Sequence, residues 1–248
     1  MLEFNPVNPL EGKPGWDVNN RDHRKLLIVD GTTAFVGGVN ISAVYSGSSS
    51  RRRLGSSGSV VAPQQQAKDP PWRDTHVQVS GPVVGTLQKF FLDTWTQQEG
   101  EPLADRDYFP TLSAQGKEVI RAIASSPDEP FSQFYATLIS AINTAQSEIL
   151  LSNAYFVPDP QLKHALVDAV ARGVDVKLLL PSATDSSLVF HAGRAHYDEL
   201  LRAGVKLYER HEVLLHAKTV VIDGVWSTVS VQPRHLEIAW LRRDRADP

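Results

Sequence analysis

Apolar and polar positions follow two periods along this chain, and the change from one to the other marks its elements. Apolar residues recur at helical spacing over 131–145, and a short apolar run over 148–152 predicts a strand. Asp159-Pro160 supplies an N-cap and a first-turn proline for a helix that stops at Gly173. A buried strand over 174–180 follows, then a helix over 187–202 stopped by Gly204, then a strand over 205–208. Earlier in the chain, Asp74, His76 and Gln78 alternate with Val77 and Val79 as a strand. Leu87, Phe90, Phe91 and Trp95 share one face of a helix, which the pattern assigns to core packing. Strands alternating with helices predict an α/β fold of mostly parallel sheets flanked by helices.

One unit occurs twice. His23-Arg24-Lys25-Leu26-Leu27-Ile28-Val29-Asp30 and His216-Ala217-Lys218-Thr219-Val220-Val221-Ile222-Asp223 both read H-x-K-x-x-x-x-D. In each, a β-branched run leads to an Asp-Gly pair and a second apolar run returns, the signature of a strand, a tight turn and a strand. Residues two apart on a strand share a face, so His23 projects with Lys25, and His216 with Lys218. An imidazole can attack or take a proton when neutral and give one when charged. A lysine beside it is a positive charge suited to a phosphoryl oxygen. Two such pairs facing one anionic centre could attack phosphorus from one side and protonate the leaving oxygen from the other.

Composition narrows the partners. The formal charge is −3 over 248 residues, without the basic excess usual in nucleic-acid binding, so no nucleic-acid partner is expected. The absence of cysteine excludes disulfides and thiolate metal sites. The His pairs lack metal-ligand spacing and a carboxylate set, so no metal site is expected, and histidine and lysine can themselves supply nucleophile, acid and charge, so no cofactor is expected either. His76, His164, His211 and His235 carry no assigned role. The stretch 44–71 is rich in Ser, Gly and Pro around Arg51-Arg52-Arg53 and predicts a long mobile loop.

The paired motif resembles the signature of the phospholipase D superfamily, and the surrounding text is similar to bacterial cardiolipin synthases. The resembling stretches are Phe4-Asn5-Pro6-Val7-Asn8-Pro9, Gly37-Gly38-Val39-Asn40-Ile41-Ser42, Trp72-Arg73-Asp74-Thr75-His76, Asn153-Ala154-Tyr155-Phe156-Val157-Pro158-Asp159 and His191-Ala192-Gly193-Arg194-Ala195-His196-Tyr197. The resemblance implies a two-lobed phospholipase D fold with the active site between the lobes. The first lobe would occupy 1–110 and the second 111–248. His23, Lys25, Asp30, His216, Lys218 and Asp223 would be the catalytic set. Asp74 would hydrogen-bond His23, and Asn40 would offer an amide to phosphate. Arg194 and His196 would touch the headgroup or phosphate. The implied reaction is phosphatidyl transfer through a phosphatidyl-histidine on phosphatidylglycerol, at the cytoplasmic side of a bacterial membrane surface. His23, with Asn40 and Asp74 in support, would be the nucleophile, and His216 the acid. The alternatives are another phosphodiesterase of this superfamily, or an inactive lipid-binding fragment.

Two departures qualify the resemblance. Only twenty-two residues precede His23, too few for the strand–helix series that precedes His216, so an incomplete N-terminal lobe is expected. After Asp223 the family text Gly-Ser-x-Asn is replaced by Ser230-Val231-Gln232-Pro233, and the chain ends in a charged run. That change removes the expected acidic partner of His216 unless Glu237 substitutes.

Overall fold

A computed structural model describes residues 23–42, 45, 71–124, 132–230 and 236–241, the last segment mainly through its backbone. The first residues through 22, most of the arginine-bearing loop 44–71, His235, the side chain of Glu237 and the charged run 242–248 lie outside the described residues.

The first repeat forms β1 (Leu26–Val29) and β2 (Thr33–Gly37), which pair antiparallel; β4 (His76–Ser80) adds to β2 and completes a three-stranded sheet. The second forms β10 (Lys218–Ile222) and β11 (Trp226–Ser230), also antiparallel. The two turns have the same backbone. Asp30 and Gly31 lie at φ 52° and 64°, Asp223 and Gly224 at 54° and 65°, and each turn is closed by a hydrogen bond (Thr32 to Val29, Val225 to Ile222). Two successive residues at positive φ make the type I′ turn whose twist matches a hairpin, and that is why Asp-Gly recurs.

The second hairpin sits in a seven-stranded sheet. Its remaining strands are β5 (Val119–Ala124), β6 (Glu148–Asn153), β7 (Asp175–Pro181), β8 (Lys206–Arg210) and β12 (Leu236–Leu241), in the order β5-β12-β11-β10-β6-β7-β8. The α/β class holds, but the expectation of mostly parallel sheets does not. Within the seven-stranded sheet only β6–β7 and β7–β8 are parallel; its other four pairs are antiparallel. The physical reason is connection length: the parallel strands are joined by helical crossovers, whereas the β10–β11 turn can only reverse the chain. Those crossovers are α3 (Pro160–Ala171), then α4 (Ser187–Arg194) with α5 (Tyr197–Arg202). Asp159 caps α3 as expected, its carboxylate accepting from the Leu162 N–H at 2.8 Å. The single helix expected over 187–202 is two, because the chain turns at Ala195–His196, a change of axis that an apolar period does not encode.

Leu138, Ile139 and Ile142 of α2 (Gln133–Thr144) pack with Leu166 of α3 and the inner face of β6, β7 and β10 in the larger core. The smaller core joins Ala34, Val36 and Val79 of the three-stranded sheet to Val84 and Leu87 of α1 (Val83–Gln97), with Ile120 and Ala122 of β5 against it. The face expected on α1 is only partly core: Leu87 is buried, whereas Phe91 is 44% exposed and stacks on Trp95. A two-residue parallel ladder sets β3 (Trp72–Arg73) beside β9 (Leu214–Leu215), just before the second motif. That ladder sets the position of the site.

Asp223 gives the first test. Its carboxylate accepts from the N–H groups of Gln146, Ser147 and Glu148 and from the Ser147 hydroxyl, at 2.8–2.9 Å. Burial alone would raise its pKa, but these donors outweigh burial and hold it below the usual carboxylate value. A depressed folded pKa means stability that is present above the unfolded value and lost as pH falls through the folded one. Asp223→Asn keeps the left-handed turn and removes the charge. Denaturant unfolding at neutral pH should show a loss of about 1–2 kcal/mol, and the gap should narrow below about pH 4.

Candidate active site at the junction of the two motifs

Both H-x-K pairs stand at strand entrances. Lys25 precedes β1 and Lys218 opens β10, and each ammonium turns back onto the carbonyl two residues earlier: Lys25 Nζ to His23 O at 2.6 Å, Lys218 Nζ to His216 O at 3.0 Å. The duplicated sequence therefore gives a duplicated side-chain geometry. The charge of Lys25 is close enough to Lys218 to disfavour its protonation.

The ladder explains how. Trp72 and Arg73 pair with Leu214 and Leu215, and the His216 N–H donates to Arg73 O at 2.7 Å, so Asp74 comes to lie beside His216. Asp74 Oδ2 is 2.6 Å from His216 Nδ1, with side-chain exposures of 1% and 10%. Thr75 N–H donates to Oδ1 at 2.7 Å. Gly38 passes against the same carboxylate so closely that a Cβ there would overlap it, which explains glycine at this point. With Nδ1–H facing a carboxylate, His216 presents Nε2 to the site, where Lys218 Nζ is 3.3 Å away. The arrangement fixes one tautomer and stabilises the imidazolium when Nε2 takes a proton.

Aromatic side chains wall this centre. The Trp72 and Tyr155 ring centroids lie 5.1 Å and 5.9 Å from that of His216, and Lys218 Nζ lies 5.5 Å from the Tyr155 ring centroid. Asn153 Oδ1 accepts the Tyr155 N–H at 2.9 Å, a local turn that brings Tyr155 over Lys218 at the end of β6. The Tyr155 hydroxyl is held by both oxygens of Asp185 at 2.9 and 3.1 Å; burial first, and then Asp185, push its pKa upward. Burial brings Lys218 down from 10.5 to about 8, with Lys25 acting in the same direction and Asp74 and Asp185 opposing. A cation with that pKa still carries its charge near neutrality, at a point where a phosphoryl oxygen could replace lost hydration.

Several sequence expectations need correction. Asp74 serves His216 of the second motif, not His23 of its own lobe. His216 therefore keeps an acidic partner despite the altered text after Asp223. Asp223 and Asp30 are turn residues, about 16 Å along an extended strand from their lysines. Asp223 ties the 146–148 segment and Asp30 is exposed at the matching turn. Arg194 is paired with Glu209 and lies over the rings of Phe190 and Tyr197, which fastens α4 to β8. His196 is the N-cap residue of α5 and lies near Glu199. Asn40 is exposed after β2. Sequence reasoning assigned nothing to Tyr45, Trp72, Tyr155 or Asp185. Trp72 and Tyr155 stand in the stretches that carry the resemblance, whereas nothing in the sequence marks Tyr45 or Asp185.

Comparisons with known proteins bear on the family and the fold. Residues 138–231 match the family model described as cardiolipin synthase, phospholipase D-like domain. The chain is 35% identical over 232 residues to a cardiolipin synthase of Geobacillus kaustophilus, covering 92% of this chain and 42% of that protein. It is 36% identical over 231 residues to cardiolipin synthase A of Pseudomonas fluorescens, covering 90% and 43%. The chain thus spans about two fifths of the length of these relatives. Among solved structures, phosphatidylserine synthase of Haemophilus influenzae superposes with a TM-score of 0.59 over 90% of this chain and 58% of that one, at 10% identity, a likeness of fold. The resemblance to the phospholipase D superfamily, and within it to cardiolipin synthases, is borne out.

The lowered pKa of Lys218 sets a pH dependence. If its charge is required, kcat/KM on a phosphodiester should fall as pH rises through about 8. A profile flat to about pH 10, the range of an ordinary lysine, would place the required charge elsewhere.

Proposed function

We propose that this chain performs phosphatidyl transfer of the cardiolipin synthase kind, with the site between its two motifs. The observation that carries the proposal is the Asp74–His216 contact, in which a carboxylate from the first lobe fixes the imidazole of the second. In this reading the lobe of residues 1–110 contributes His23, Lys25 and Asp74, and the lobe of residues 111–248 contributes His216 and Lys218.

His23 attacks the phosphorus of phosphatidylglycerol, and the bond from phosphorus to the glycerol oxygen breaks. That oxygen takes the Nε2 proton of His216, and glycerol leaves. A phosphatidyl group is now on His23. The hydroxyl of a second phosphatidylglycerol gives its proton to His216 and attacks phosphorus, freeing His23 and forming cardiolipin. Lys25 and Lys218 stabilise the non-bridging oxygens while phosphorus is five-coordinate. Assigning the acid role to His216 follows from Asp74, because a carboxylate facing Nδ1 stabilises the doubly protonated ring. Histidine and lysine supply nucleophile, acid and charge, so the scheme uses no metal or organic cofactor.

The test is chemical. In His216→Asn, attack on a substrate with a good leaving group should persist while breakdown slows, so a phosphatidylated peptide containing His23 should accumulate. Mass spectrometry under non-acidic conditions reads it, with excess chelator present throughout. A label on His216 in His23→Asn, never on His23, would reverse the roles. Loss of labelling with chelator, restored by a divalent ion, would indicate metal-activated water instead.

A membrane surface as partner is supported by exposed apolar side chains at the same end of the sheets. Ile41, Val157 and Leu188 are 110%, 48% and 81% exposed and follow the C-terminal ends of β2, β6 and β7. The strand registers place those ends beside the starts of β1 and β10, where the two motifs lie. Isolated exposed apolar residues are common, but three around one entrance suit a bilayer interface. Leu188→Asp should weaken sedimentation with phosphatidylglycerol vesicles and leave the rate on a water-soluble short-chain substrate unchanged. Equal vesicle binding by variant and parent would remove Leu188 from the interface.

A further inference from the structure

The hydroxyl of Tyr45 has no part in the scheme above, yet it lies inside the site. It is 3.3 Å from Asp74 Oδ2, 3.5 Å from Gly38 O and 3.5 Å from His216 Nδ1. The Tyr45 ring meets Trp72 edge-on with centroids 5.9 Å apart, and Trp72 in turn flanks His216.

A phenol has one proton to give. The Gly38 carbonyl is neutral and farther than Asp74 Oδ2, and a charged acceptor makes the stronger bond, so the proton goes to Asp74. His216 Nδ1 is not the acceptor, because at 2.6 Å from Oδ2 it carries its own proton toward the carboxylate. Oδ2 therefore receives two donors, one from each lobe. Oδ1 is fixed separately by Thr75 N–H, and Gly38 confines the carboxylate from the side. Asp74 is thus oriented without help from Tyr45. What Tyr45 alters is how much of the Oδ2 charge is left for the imidazole.

We infer that Tyr45 is a positioning residue of this site: by sharing Asp74 Oδ2 with His216, it loosens the carboxylate's hold on the imidazole and makes the imidazolium a sharper acid toward the leaving oxygen. The inference rests on the transferase reading for its chemical meaning but not for its geometry. The surrounding electrostatics agree with it: burial, and then Asp74, push the Tyr45 hydroxyl from 10 up to about 12, as expected for a phenol held on a carboxylate. Other charged or titratable groups also act here. Lys25, Asp74 and Asp185 act on Lys218, Asp185 acts on Tyr155, and Asp74 acts on His76. Of these, only Tyr155 also feels Tyr45, more weakly than it feels burial and Asp185, and the rest are the same in a Tyr45 variant.

The test reads the His216 Nδ1–H proton by NMR of the full chain with 15N-labelled histidine, the resonance being assigned by its loss in His216→Asn. Tyr45→Phe keeps the ring on Trp72 and removes only the hydroxyl. The expected result is a resonance displaced further downfield, the mark of a stronger bond to Asp74. In Asp74→Asn the resonance should return toward that of an ordinary imidazole, and adding Tyr45→Phe should change nothing more. An unmoved or upfield resonance in Tyr45→Phe overturns the inference, as does an equal displacement in the Asp74→Asn background. The signal needs no substrate. A chain that shows the displacement but turns over no phosphatidylglycerol refutes the transferase reading alone; one that turns over lipid with an unmoved resonance refutes the role of Tyr45 alone.

Discussion

The bond between Asp74 and His216 is the contact on which the site depends. A carboxylate with 1% side-chain exposure is tolerated only where donors replace its hydration. Asp74 has three: Thr75 N–H, Tyr45 O–H and His216 Nδ1–H. One comes from the next residue in the chain and one from the end of the first hairpin's trailing segment, but the shortest comes from the other lobe. The buried carboxylate therefore has its full set of donors only when the segment bearing His216 is in place.

That constraint orders the neighbouring features. The β3–β9 ladder is only two residues long, too short to hold the lobes by itself, yet it sets the register that brings Asp74 beside His216. Gly38 is required because the carboxylate fills the space of a side chain. Lys218 sits deep enough for burial to lower its pKa, and it is compensated by the His216 carbonyl, the face of Tyr155 and the nearby carboxylates. Such a lysine gains most when an anion enters.

The duplicated unit shows how one sequence pattern takes two tertiary settings. Both copies make the same turn, with Asp and Gly at positive φ, and the same lysine-to-carbonyl bond. The first hairpin belongs to a three-stranded antiparallel sheet, while the second is the middle of a seven-stranded one. The setting changes what the turn aspartate does. Asp223 fastens the segment before β6, whereas Asp30 lies exposed. Even the unusual text beyond Ser230 takes a place in the sheet, because β12 pairs through its backbone between β11 and β5 and a ladder asks little of side-chain identity.

The sequence by itself determined what local chemistry controls. The hairpins follow from β-branched runs around Asp-Gly, the start of α3 from Asp159-Pro160, and the nearness of His216 to Lys218 from their two-residue spacing. Tertiary structure decided everything that depends on which segments meet. No spacing reveals that Asp74 reaches across to His216, since 142 residues separate them and a short ladder outside both motifs joins them. The sense of the strand pairs outside the two hairpins, the break between α4 and α5, the engagement of Arg194 by Glu209 and the placing of Tyr45, Tyr155 and Asp185 were equally hidden. Periodicity records which face of an element is apolar. It does not record what that face, or a polar group at its edge, will find opposite once the lobes close.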